Sequence, residues 1–160
     1  MTNNETFGDA PVGTYSVAVY IIKFVDDAPF VLMIKRNIEP YPDIWQPVTG
    51  RIAADEPAWK TGLRETKEET GIVPDRYYSA NHIEIFYHIP VNTVNLSPAF
   101  VMFLESDPKV ILSKEHKDYR WVTIEEAKEM VAFSAQRDTL RHINKYFIDR
   151  TPSEYLRIGL

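Results

Sequence analysis

From Tyr15 to Val25 the chain reads YSVAVYIIKFV, almost continuously apolar and rich in β-branched and aromatic residues. Such a run predicts a buried strand. Asp26-Asp27-Ala28-Pro29 supplies a turn, and FVLMIKR, Phe30 to Arg36, is the returning strand of a hairpin. Upstream, Met1 to Gly13 is polar and broken by Gly and Pro, a loose lead-in. Asn37 to Pro47 carries Pro40, Pro42 and Pro47, which confines it to a loop or a sheet edge. Val48-Thr49 then feeds a turn at Gly50.

The period changes next. A helix is predicted to start near Glu56-Pro57, because proline suits a first turn, and to stop at Gly71, a good residue just past a helix end. Ala58, Leu63 and Thr66 fall on its apolar side. Gly62 costs about 1 kcal/mol against alanine inside a helix, a cost offset if a neighbouring backbone comes close. HIEIFYHIP, His82 to Pro90, alternates as a strand does. PAFVMFLES, Pro98 to Ser106, is a second strand and Val110-Ile111-Leu112 a short third. Thr123 with Glu126 three residues on forms a capping box that opens another helix. A last helix, Ser134 to Phe147, sets Leu140, Ile143 and Phe147 on one stripe. From Asp149 on, a tail or a final helical turn is expected. Strands, helix, strands, helices in that order imply one domain, residues 14–148, with a mixed sheet between helices, preceded by 1–13 and followed by 149–160.

Composition narrows the picture only a little. At 160 residues, 44% apolar and 26% charged, the chain is long enough for one cored globular domain. Its net charge of −5 argues against a non-specific nucleic-acid binder. Zero cysteines exclude disulfides, thiolate nucleophiles and Cys-ligated zinc. No apolar run reaches the length of a membrane span, and MTNNETFGDAP lacks a signal-peptide core, so the cytoplasm is the default compartment.

The chemistry gathers in GRIAADEPAWKTGLRETKEETGI, Gly50 to Ile72. Glu65, Glu68 and Glu69 stand at relative positions 0, 3 and 4, so a helix projects all three within about a third of its circumference. Nothing in the span is expected to supply enough positive charge on that face to quiet their repulsion. A hard cation would, and carboxylate oxygens are what Mg²⁺ or Mn²⁺ selects, commonly with substrate phosphates as further ligands. The spacing is stricter than an acidic face: Gly50, Glu56, Arg64-Glu65, Glu68-Glu69 and Gly71 are fixed relative to one another. A chance match at a given start is on the order of 10⁻⁸.

This pattern resembles the Nudix box, the signature of hydrolases that cleave a nucleoside diphosphate linked to another group. One position departs from it: Thr66 stands where a bulky aliphatic is usual, and is expected to bury its methyl and bond its hydroxyl to a carbonyl one turn back. The resemblance implies an α/β/α sandwich with a mixed β-sheet, the box forming a loop–helix–loop. It implies a Mg²⁺ (or Mn²⁺) cofactor held by Glu69 and Glu65, with Glu68 close behind and the Gly50 carbonyl as a further ligand. Glu56 and Arg64 would orient the glutamates; a guanidinium is no ligand itself.

A general base is still required, and in the family it comes from a box glutamate or from an acid on a later loop. SKEHKDYRW offers Glu115 beside His116. On composition alone that pair is an exposed polar loop; the resemblance makes Glu115 a candidate ligand or base. WQPVTG, EIFYHIP, SKEHKDYRW and FSAQRDTLRHI resemble bacterial dihydroneopterin triphosphate pyrophosphohydrolases, whereas LRETKEETGI with LSKEHKDYRWVTIEEA resembles diadenosine tetraphosphate hydrolases. The WQ-x-VTG stretch favours the first branch.

The expected reaction is therefore cleavage of a nucleoside or pterin triphosphate to a monophosphate and pyrophosphate. A dinucleoside polyphosphate hydrolase and a non-catalytic nucleotide-binding domain are the alternatives. Candidate substrate residues are Lys35, Arg36, Trp45, Gln46, Arg51 and Arg137. For Trp45, stacking on a base and plugging the core both stay open, and each of the cations is also an ordinary surface residue. His82, His88 and His142 lack metal-ligand spacing. The partner expected is a small-molecule polyphosphate, with no nucleic-acid polymer and no membrane; a homodimer stays open.

Overall fold

The computed structural model describes residues 8–160. The first seven residues of the expected lead-in lie outside them. The hairpin forms as expected: β2 (Ser16–Val25) returns as β3 (Ala28–Arg36), through Asp26 and Asp27, both at positive φ. Two successive left-handed residues make the tight turn whose twist matches antiparallel strands. Ahead of it, β1 (Val12–Gly13) pairs with Val94 and Asn95, so the end of the lead-in joins the sheet.

β2 is central. It lies antiparallel to β3 and, lower down, to β5 (Val48–Arg51), and parallel to β7 (Thr93–Leu104), which makes the sheet mixed. β7 pairs with the long β6 (Arg76–His88), and β3 pairs with β4 (Trp45–Gln46) and β8 (His116–Val122). Alternate residues of β2 enter different cores. Val17, Val19 and Ile21 face α1 (Ala58–Thr70), while Ala18, Tyr20 and Ile22 face α2 (Ile124–Met130) and α3 (Ser134–Ile143). Helices thus cover both faces of the sheet, the α/β/α sandwich expected.

Several expectations are corrected. Val110–Leu112 is not a strand. Its backbone instead satisfies the last carbonyls of α1, Ile111 N–H donating to Thr70 O and Ser113 N–H to Glu69 O. The polar HKDYRWV, read as loop and helix lead-in, is strand β8. β6 and β7 begin earlier than expected, at Arg76 and Thr93, and β6 carries a bulge between Ser79 and Ile83. Pro57 caps α1 from outside instead of opening its first turn, whereas Gly71 ends it in the left-handed region at φ 73°. Gly62 accommodates a side chain, not a backbone: an added Cβ would run into the Tyr77 hydroxyl and Val19. Thr66 is buried with its hydroxyl unpartnered; the back-bond forms one turn later, from Thr70 Oγ1 to Thr66 O at 2.6 Å.

The capping box at Thr123 and Glu126 is present, and Leu140, Ile143 and Phe147 are all buried. α3 itself gives way to a wider helical turn over Asn144–Ile148. Beyond Asp149 a single 3₁₀ turn, Glu154–Leu156, leads into β9 (Arg157–Ile158), which pairs with Tyr77 and Tyr78 of β6. Among the described residues no helix is long and apolar enough to cross a membrane.

Candidate active site

A cavity of about 560 Å³ opens beside the N-terminal half of β2, lined by β5, α1, β6 and the loops before β4 and β8. Gly50 brings β5 against α1 so closely that a Cβ there would overlap the Glu65 side chain. Close backbone approach is what glycine permits. The loop carrying Glu115 is held from both sides. Ser113 ties it to the end of α1, and Asn37 N–H donates to Glu115 O at 2.8 Å. Gly50 from β5, Glu65 and Glu69 from α1, and Glu115 from the loop before β8 thereby reach one cavity wall from three separate parts of the chain.

Arg64 is the positive charge that the box was expected to lack. Its Nε and Nη2 bond Glu56, Nη1 reaches Glu65 Oε1 at 2.7 Å and Glu68 Oε2 at 3.3 Å, and Nη2 also meets the Arg51 carbonyl. Hydrogen bonds from Arg64 and then from Thr61 hold the Glu56 carboxyl down to about 2. The same contacts with Glu56 push the Arg64 guanidinium further up. Glu65 is raised, first by burial, with Arg64 opposing and Glu68 and Glu115 adding to it. Glu68 is exposed and does not line the cavity, so its charge is spent on Arg64 and solvent.

Glu69 receives nothing comparable. It is buried, its Oε2 has no hydrogen-bond partner, and the nearest cationic candidate, His116 Nε2, stands 3.9 Å away. Burial, then the charges of Glu65 and Glu115, push Glu69 up to about 9. Burial, then Arg36, pushes His116 down to about 4. At neutral pH the two are a protonated acid and a neutral imidazole, not a salt bridge. Both His116 ring nitrogens are also unpartnered.

The acids do not close into a ready cage. Among the described residues no group of three or more His, Cys, Asp or Glu stands together as a metal cluster. The donor set nonetheless fits a hard divalent cation. It is all oxygen, and Glu69 Oε2 is an orphaned buried atom repelled by the charges of Glu65, Glu115 and Glu68, a cost that a cation would relieve.

The remaining candidates divide. Arg36, Gln46 and Arg51 line the cavity. Arg36 also braces the Asn37–Ile44 loop through Pro40 O and Glu39 O, and Arg51 has no ion-pair partner among the described residues. Lys35, Trp45 and Arg137 do not line it. Trp45 packs on the core between Lys35 and Arg120, so the plugging reading holds. Arg137 Nε donates to Lys128 O and ties α3 to α2. Tyr41 and Phe133 meet edge to face at 5.3 Å across the cavity mouth, and His88 bonds Tyr15 through Nδ1.

Sequence reasoning passed over Glu84. This residue of β6 is 4% exposed and lines the cavity at the end away from α1, where its Oε1 accepts from Tyr20 Oη at 2.5 Å and Thr139 Oγ1 at 3.0 Å. The signal available was a lone acid within an alternating strand.

Comparison with known proteins supplies a family. Residues 14–148 match the NUDIX domain. A Myxococcus xanthus protein named octanoyltransferase is 30% identical over 83% of this chain, although the chain spans only 37% of that relative. The Haemophilus influenzae dihydroneopterin triphosphate diphosphatase is 31% identical, over 82% of this chain and 87% of its own length. The mouse asymmetrical bis(5'-nucleosyl)-tetraphosphatase is 32% identical, over 68% and 75%. Among solved structures, a Caenorhabditis elegans Ap4A hydrolase complex superposes with a TM-score of 0.75 at 19% identity, over 86% of this chain and all of that one, a likeness of fold.

Proposed function

The chain belongs to the Nudix family of hydrolases, enzymes of pyrophosphate bonds in nucleoside derivatives, and on that premise we propose that it cleaves a nucleoside or pterin triphosphate to the monophosphate and pyrophosphate. The observation that carries this reading is Glu69: a buried carboxyl with an orphaned oxygen, set against Glu65 and Glu115 on a wall that also holds Arg36 and Arg51.

In this reading Glu69, Glu65 and the Gly50 carbonyl would hold Mg²⁺ or Mn²⁺, while Glu68, exposed and paired with Arg64, stays off the cavity wall. When bound, the ion offsets charge on the phosphate oxygens and makes water a better nucleophile. Water attacks phosphorus in line with the leaving oxygen, the anhydride P–O bond breaks, and the water's proton passes to a carboxylate. Glu115 suits that last role, because it lines the cavity and has no ion-pair partner among the described residues. Arg51 and Arg36 face the polyphosphate. Glu56 and Arg64 act indirectly, by fixing where Glu65 points. Residues 14–148 are taken as the catalytic domain.

Incubation with Mg²⁺ and a panel of triphosphates, with the products identified, tests the assignment. Pyrophosphate and a monophosphate are expected. Cleavage of diadenosine tetraphosphate in preference to every triphosphate would move the assignment to the dinucleoside branch. Binding without turnover would leave a nucleotide-binding domain only.

A further inference from the structure

The end of the cavity opposite the acids carries a second set of polar groups. We infer that Glu84 and Gln136 read the edge that guanine and pterins share, a 2-amino group, the adjacent ring N–H and the oxo group beside it, and so exclude adenine. The inference rests on the hydrolase reading above and goes beyond it by naming the ring.

Glu84 is buried, and no cation lies among its contacts. Two hydroxyls, Tyr20 and Thr139, converge on Oε1 alone, and Oε2 receives no hydrogen bond from the described residues. The Thr139 hydroxyl also stands 3.0 Å from Ala135 O and has one proton to share between the two. A carboxylate offers about four lone-pair sites, so the pair on Oε2 is left to whatever enters the cavity. Burying such a group costs free energy unless donors meet it. Adjacent N–H groups of a ring, the ring N–H and the 2-amino group, are donors of the right kind. Adenine presents an unprotonated ring nitrogen at the corresponding place, which would set lone pair against lone pair.

Gln136 lies one helical turn before Thr139 on α3, lines the same cavity, and is 5% exposed with a buried amide oxygen that no group satisfies. Which amide atom sits there is an assignment from the hydrogen-bond network; turned over, the amide gives an N–H for the ring's oxo group. Tyr41 and Phe133 at the mouth supply apolar surface for a flat ring. The polyphosphate of the same molecule would then run toward Arg51 and the acid wall.

The test is calorimetric binding, without divalent metal, of GMP, AMP and neopterin to the full chain and to Glu84→Gln. A site built to hydrogen-bond a ring edge discriminates strongly, so GMP is expected to bind about a hundredfold tighter than AMP. Glu84→Gln should bring that ratio within about threefold and weaken neopterin alongside GMP, at an unchanged unfolding temperature. Neopterin tighter than GMP would identify a pterin, the reverse a nucleotide. If Glu84→Gln does not fold, Gln136→Leu should still cut the GMP preference by about tenfold.

Neither ring preferred over AMP, or a preference untouched by these variants, overturns the inference. Turnover without base preference would sink it and leave the hydrolase standing. Glu84-dependent GMP binding in a protein that cleaves no anhydride would do the reverse.

Discussion

Two buried glutamates face one cavity from opposite ends, and they are kept differently. Glu84 is met by two neutral hydroxyls and has no acid among its contacts. Glu69 has an unpartnered oxygen and several carboxylates pressing on it; a neutral imidazole is its nearest basic group, and Arg36 opposes the carboxylates only from beyond ion-pair distance. Both carboxyls are raised by burial. The difference lies in what relieves them. Neutral donors suffice at Glu84, whereas the crowd of negative charge at Glu69 calls for a cation. Between the two stands a third arrangement, Glu65 and Glu68, whose charge Arg64 already answers.

The comparison breaks most openly at Glu69→Gln. The substitution keeps shape and removes charge, so the fold should persist while turnover falls about a hundredfold or more, on the order of 3 kcal/mol of transition-state stabilisation. Steady-state kinetics with saturating Mg²⁺ decides it; an unchanged rate would show that Glu69 holds no ion.

Next in size is the response of stability to pH. A carboxyl raised from 4.5 to about 9 favours the folded state fully below 4.5, and that contribution drains away as pH climbs toward 9. His116, lowered from 6.5 to about 4, acts in the other direction: its contribution is complete above 6.5 and is lost as pH falls toward 4. Above pH 6.5 the acid effect therefore stands without opposition from His116. Glu69 alone should cost the metal-free protein roughly 1.4 kcal/mol per pH unit there at full linkage. Glu84 shifts with the same sign as Glu69, which gives the experiment its edge. Mg²⁺ or Mn²⁺ should restore only the part belonging to Glu69, and Glu69→Gln should abolish that restoration. Thermal unfolding from pH 6.5 to 9, with and without metal, measures both.

The two ends of the cavity were unequally legible in the sequence. Glu65, Glu68 and Glu69 lie within one helix, where spacing along the chain is spacing in space, and Gly50 and Gly71 mark its flanks. Glu84 finds its partners 64 and 55 residues away, at Tyr20 and Thr139, and no local period reports that. The alternation in HIEIFYHIP even points the wrong way. Apolar-inside would bury Ile83, Ile85 and Tyr87, yet these are exposed, while Glu84 is buried and Phe86 and His88 line the cavity beside it. Strand β8 was missed for a related reason. Lys117 to Arg120 are exposed, so HKDYRWV carries little of the apolar signal by which a strand is recognised. Val110–Leu112 shows the converse, an apolar triplet whose backbone serves a helix end.

Gly50→Ala probes the wall without touching a charge. The new methyl group would occupy the space of the Glu65 side chain, so Glu65 must turn away from the cavity while Glu69 stays buried and loses part of the repulsion from Glu65. A misplacement of about 1 Å at a reacting centre can cost about a hundredfold, and a loss of turnover between about tenfold and a hundredfold is expected. Metal-dependent stabilisation should weaken in parallel. If turnover fell with metal binding intact, Glu65 would be acting on the substrate and not on the ion.

The smallest effect marks where the site ends. Arg137 adjoins Gln136 on α3, but its Nε donates to the Lys128 carbonyl near the end of α2, and it does not line the cavity. Arg137→Ala removes one charge-assisted hydrogen bond to a helix end, worth about 1 kcal/mol of stability. Turnover and the choice between GMP and AMP should stay within about twofold, because additivity holds for groups that share no partner. Denaturant unfolding set beside kinetics on the same preparation separates the two readouts. A tenfold fall in kcat/KM with little loss of stability would mean that Arg137 reaches the substrate, and that the base-reading end of the cavity extends around α3 beyond Gln136.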